Sequence, residues 1–246
     1  MKQILHARIV VFALVAFANS ASADSITVTN FSFENPTVAP DPGYTFYSSI
    51  QAWTFGGTTD FSGLQLMSTQ YSVAQPTNSD GYQDAVFNLS DGETGTITYT
   101  TSGDSNGNGA SLGTIQSNTD YALTVALGNR SGTGSYADPG NIFLNLQANN
   151  VTAAQLEVTP GELPDDAFTD FTVTLSASYI LSHPSLLGEN LGIQLEATGV
   201  AGYDAQDNFD NVQLTETSVP EPRVWALMGF GGLALLAALN RMKNQA

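Results

Sequence analysis

Apolar and polar residues alternate in short runs along most of the chain. "GTITYTT" sets Ile97 and Tyr99 among threonines, and "YALTVALG" puts Tyr121, Leu123, Val125 and Leu127 on one side of an extended segment. Ile142, Leu144 and Leu146 in "NIFLNLQA", Phe171, Val173 and Leu175 in "DFTVTLS", and Leu191, Ile193 and Leu195 in "LGIQLE" repeat the pattern. Ile26, Val28, Phe31 and Phe33 open the series; Phe209, Val212 and Leu214 close it. Successive side chains of a strand point to opposite faces, so a two-residue period predicts strands with one buried face. Gly, Asn, Asp or Pro turns separate the runs, and no 3.6-residue apolar period emerges. Residues 24–218 are therefore expected to form one all-β domain, a two-sheet sandwich.

Two continuous apolar runs depart from this pattern. Ile9 to Ala18 follows Lys2 and Arg8 and precedes Ala21-Ser22-Ala23, a small-residue cleavage site. Residues 1–23 thus read as a signal peptide, with Asp24 the first mature residue. Val224 to Leu239 is uncharged, and as a helix it would be about 24 Å long. It is expected to be a transmembrane helix, with Trp225 at one interface and Arg241 and Lys243 snorkelling at the other. Those cations place the C-terminal end in the cytoplasm and the body of the chain outside.

Charge sharpens the picture. The 246 residues carry 23 acidic and 6 basic groups, and Arg130 is the only cation between Arg8 and Arg223. Such a field repels nucleic acid. Cysteine is absent, which excludes disulfides, thiolate zinc sites and thiol chemistry.

Val219-Pro220-Glu221-Pro222, followed by the apolar run and a short basic tip, resembles the PEP-CTERM sorting signal of Gram-negative bacteria. The resemblance spans residues 219–246. It implies processing by an exosortase and passage from an inner-membrane intermediate to the cell surface or an exopolysaccharide matrix. Arg223 and the interrupted basic tip depart from the usual pattern. Proline fixes φ and lacks an N–H, so the motif stays extended ahead of the helix.

The opening "ITVTNFSFENP", then "IQAWTF" and "ALTVALGNR", and the closing "NFDNVQL" resemble the galactose-binding-like jelly-roll modules of secreted bacterial proteins. The resemblance implies a jelly-roll sandwich, carbohydrate binding, and a structural calcium where the first and last strands meet. The positions it marks for calcium are Glu34 and Asp210, with Asp207 nearby. Their alternative reading is a solvated strand edge. "DSNGNG", residues 104–109, matches half of an EF-hand loop, but Ile115 stands where a bidentate glutamate belongs, so it reads as a hairpin tip.

Sugar rings present apolar C–H faces, which suit aromatic platforms. Tyr44, Phe46, Tyr47, Trp53, Tyr71 and Tyr82 are the candidates, with Arg130 as a clamp through its fork of donors. Trp53 can equally be a core residue, and Arg130 one half of an ion pair. His183 is the only histidine of the body and sits beside no nucleophile motif, so a catalytic triad is not expected. The sequence thus suggests a non-catalytic, exported β-sandwich that binds polysaccharide, with exosortase and membrane as further partners. A structural biofilm protein without a specific ligand, or a secreted glycoside hydrolase, are the alternatives.

Overall fold

In the computed structural model, thirteen strands account for nearly all the regular structure among the described residues, which are 22–67, 80–101, 109–129, 139–163, 167–202, 204–219 and 241. The chain divides into Asp24–Glu216 and its two ends; the fold described is that of the former. The strands are β1 (Ala23–Ile26), β2 (Tyr44–Phe46), β3 (Ser49–Ile50), β4 (Trp53–Thr58), β5 (Phe61–Leu66), β6 (Gln83–Leu89), β7 (Thr94–Tyr99), β8 (Thr119–Asn129), β9 (Asn141–Ala148), β10 (Val151–Val158), β11 (Ala167–Leu175), β12 (Leu191–Thr198) and β13 (Ala205–Ser218). One sheet runs β11-β8-β13-β6-β5-β2, with β1 also on β13; the other runs β10-β9-β12-β7-β4-β3. The expected all-β, two-sheet sandwich is what the chain forms.

The core lies between the sheets and takes one alternating face from each. Leu123, Val125 and Leu127 of β8 meet Ile142, Leu144 and Leu146 of β9 and Ile193 and Leu195 of β12 there. The alternation of β13 slips between Phe209 and Val212, three positions apart. Asn211 has φ 48°, a left-handed conformation asparagine tolerates better than most residues. The slip returns Val212 and Leu214 to the core face, where both are buried.

Phe31 departs from the expected inward series. It is exposed, while Phe33 is fully buried. Positive φ at Asn30 and Phe33 turns the chain between them, so the strand period does not carry through. Helical structure is slight: α1 (Ala177–Ser182) is capped by Ser176, whose side chain accepts from Tyr179 N at 3.2 Å. Among the described residues no helix is long and apolar enough to cross a membrane. The expected span Val224–Leu239 lies outside the described residues, as do Pro220, Glu221 and Pro222 of the sorting motif and residues 1–21 of the signal peptide; Val219 alone of the motif is described.

Candidate functional site

Strand β6 and residues 205–210 of β13 bury both faces. An outer strand face of a sandwich is ordinarily solvated and polar. Here Ala85, Phe87 and Leu89 face the core, yet Asp84 and Val86 on the other face of β6 are also fully buried. In β13, Gln206, Asn208 and Asp210 lie opposite the core face and are buried as well.

The strand register sets these side chains in rows. Tyr44, Gln65 and Asp84 form one row across β2, β5 and β6. Phe46, Gly63, Val86 and Asn208 form the next, which reaches β13. Phe61, Asn88 and Gln206 form the third. Each row runs from an aromatic end to a polar end. Phe61 packs on Phe46 at 4.3 Å between ring centroids and on Tyr44 at 5.6 Å. Phe46 is 63% exposed, so this aromatic edge meets solvent.

The polar end is acidic. Asn208 Nδ2 donates to Asp84 Oδ2 at 2.8 Å, and Gln206 Nε2 donates to Asn208 Oδ1 at 3.4 Å. Asp210 follows on β13, close enough to feel the charge of Asp84. Its Oδ2 accepts from Asp80 N at 2.7 Å, whereas its buried Oδ1 has no partner. Burial pushes the Asp210 carboxyl up to about 8. The Asp80 and Asn211 N–H groups pull it down, and the charges of Asp84 and Asp80 raise it further.

Glu34 meets the same loop. Its Oε1 accepts from Tyr82 N at 2.7 Å and Gln83 N at 2.8 Å. Gly81, between them, has φ +92°, and a Cβ there would stand 2.2 Å from Glu34 Oε1. The left-handed backbone favours glycine, and a larger residue would have to push the Glu34 carboxyl aside. The structure brings Glu34 and Asp210 to the same loop, residues 80–83.

Asp207 does not join them. It lies an odd number of residues from Asp210 on the same strand and so faces the core. There its Oδ1 accepts from Gly140 N at 2.8 Å, and its Oδ2 has no partner. Burial pushes its carboxyl up to about 7, against the lowering effect of the Gly140 N–H. Among the described residues no group of three or more His, Cys, Asp or Glu is arranged to hold a metal ion.

The aromatic candidates are scattered. Trp53 is fully buried, 5.2 Å from Phe33 and 5.0 Å from Tyr99, with Nε1 donating to Asn30 O at 3.0 Å. It is a core residue, not a platform. Tyr47 is half-buried against the core, and Tyr82 is 70% exposed. Tyr44 and Phe46 reach the rows described above, and Tyr71 lies outside the described residues. Arg130 and residues 104–108 lie outside the described residues. Sequence reasoning named Phe46 but missed its partner Phe61, and missed Asp84, Asn208 and Gln206. In "QDAVFNL" an acid two residues from a valine looks like an ordinary solvated position. Only burial on the outer face sets it apart.

The family model described as HpiC1-like, HpiC1 cyclase, matches residues 24–215. The chain belongs to the HpiC1-like cyclase family. Solved cyclases of Fischerella sp. share the fold. One from strain TAU is 22% identical, with a TM-score of 0.59 over 81% of this chain and all of that one. The Stig cyclase FisC of the same strain, in complex with (3Z)-3-(1-methyl-2-pyrrolidinylidene)-3H-indole, is 23% identical at a TM-score of 0.61, over 81% of this chain and 100% of its own. A cyclase from that strain in complex with 4-(1H-indol-3-yl)butan-2-one is 22% identical at 0.61, over 80% and 100%. No curated protein matches the chain.

Membership in this family corrects the reading of the body as a non-catalytic, carbohydrate-binding module. The family is one of cyclases, which are enzymes. The identification as a PEP-CTERM exosortase substrate, with exosortase, polysaccharide and membrane as partners, gives way to it as well. The bookend motifs that suggested a sugar-binding module belong to a strand framework that such cyclases share. A framework of strands does not specify what its outer face recognises.

Proposed function

We propose that the chain is a cyclase that closes a ring in an apolar, unsaturated small molecule by proton transfer. The observation that carries this reading, beside family membership, is the pair of buried carboxyls Asp84 and Asp210 at the end of rows that begin in aromatic side chains. Two neighbouring carboxyls withdrawn from water hold a proton at neutral pH. Such a pair can protonate a π-bond of the substrate. A second π-bond then attacks the resulting cation to form the ring, and the carboxylate takes back a proton. The product has the mass of the substrate. Phe46, Phe61 and Tyr44 supply an apolar, π-rich wall for an aromatic ring. The indole compounds bound by the Fischerella cyclases support an indole-containing substrate.

The test is turnover of an indole carrying an unsaturated side chain, followed by mass spectrometry and NMR. A cyclised isomer should form and should decline by about 100-fold or more in Asp84→Asn or Asp210→Asn. Wild-type turnover by both variants rejects the assignment. The protonated form of Asp210 prevails below about pH 8, so activity should fall as pH rises through that value.

One observation favours a second reading of Asp210. Its buried Oδ1 lacks a partner, and Glu34 is bound to the same loop. Carboxylate and main-chain oxygens are calcium ligands, so Glu34 and Asp210 would hold such an ion and steady residues 80–83. Calcium and a proton on Asp210 exclude each other. Millimolar calcium should therefore raise the melting temperature more at pH 9 than at pH 6, through preferential binding to the native state. An unchanged melting temperature at both pH values removes the ion. The signal-like residues 1–23 support action outside the cytoplasm, which cell fractionation would test.

A further inference from the structure

The contact between Asn208 and Asp84 joins two fully buried side chains on adjacent strands. Asn208 stands opposite Val86, and Asp84 lies two residues along on the same face. At 2.8 Å the amide N–H donates to the carboxyl oxygen at an ordinary hydrogen-bond length. An asparagine amide can face either way, and a flipped Asn208 would set its oxygen against the carboxyl. Gln206 selects the orientation. Its Nε2 donates to Asn208 Oδ1, so the amide nitrogen is left to face Asp84. Gln206 lies on the same outer face, two residues back along β13.

We propose that Asn208 is a positioning residue for Asp84, itself oriented by Gln206, and that this amide relay sets the direction in which the Asp84 carboxyl meets the substrate. The inference rests on the cyclase reading above. It adds a role for two side chains withdrawn from solvent. A buried amide that only fills space would serve stability and leave ligand binding alone.

Two measurements on the full chain separate these roles. The first uses no ligand. The Asn208 side-chain NH₂ signals in ¹⁵N NMR should shift in Asp84→Asn and, less, in Gln206→Leu. Unchanged signals mean the relay is not there. The second measures binding of 4-(1H-indol-3-yl)butan-2-one. Asn208→Asp keeps the shape and removes the donor, so it should weaken binding at least about ten-fold in a folded chain. Asn208→Ser retains a hydroxyl donor and should recover part of the loss; it also serves if Asn208→Asp does not fold. Wild-type affinity in a folded Asn208→Asp chain overturns the inference alone. Failure of the wild-type chain to bind the ketone overturns the cyclase reading and this inference with it.

Discussion

Asp207 and Asp210 stand three residues apart on one strand and do different things. Strand parity separates them: Asp207 faces the core, Asp210 the outer rows. Asp207 titrates near 7, far above its ordinary 3.8, because it is buried with one N–H donor. The folded chain then binds a proton that the unfolded chain releases between about pH 4 and pH 7. Its contribution to stability is therefore fully present below pH 4, declines as pH rises through that window, and levels off above 7. Asp207→Asn should remove this dependence and raise stability at pH 8, measured as the urea midpoint against pH. A variant that keeps the wild-type slope would show that Asp207 is not its source. Trp53 makes the complementary point. Trp53→Ala empties a fully buried site between Phe33 and Tyr99 and should cost about 3–5 kcal/mol in denaturant unfolding.

At the scale of elements, the alternation of β7, β8, β9 and β12 was legible because one face of each is apolar. The pattern did not distinguish β6 and β13. Their outer faces are polar in sequence, as a solvated face would be, and their burial is a tertiary fact. Nor did composition reveal that Asn211 lets β13 change face, although the spacing of Phe209 and Val212 carried the trace of it. The left-handed turn there is expected to resist a β-branched residue. Asn211→Val should cost about 1–2 kcal/mol, and Asn211→Gly much less, in equilibrium unfolding. Equal costs would mean that the backbone conformation is not what fixes the slip. Gly81 is comparable in the loop that receives Glu34. Gly81→Ala should displace the glutamate and abolish any calcium-induced rise in melting temperature.

For the whole molecule, the strand framework was readable and the chemistry was not. The paired bookends drew attention to Glu34 and Asp210, and both side chains bond the loop at residues 80–83. The same framework led to sugar binding because it underlies unrelated sites. On the proposed reading, function turns on the lateral order of side chains across four strands, from Phe46 through Val86 to Asn208 with Asp84 and Asp210 beside them, and no stretch of sequence contains that row. The most direct test is amide NMR of the isotopically labelled chain titrated with 4-(1H-indol-3-yl)butan-2-one. The account expects shifts concentrated on Phe46, Gln65, Asp84, Asn88 and Asn208, lost in Asp84→Asn. Shifts confined to the outer face of the β10-β9-β12-β7-β4-β3 sheet, or none at all, would contradict it.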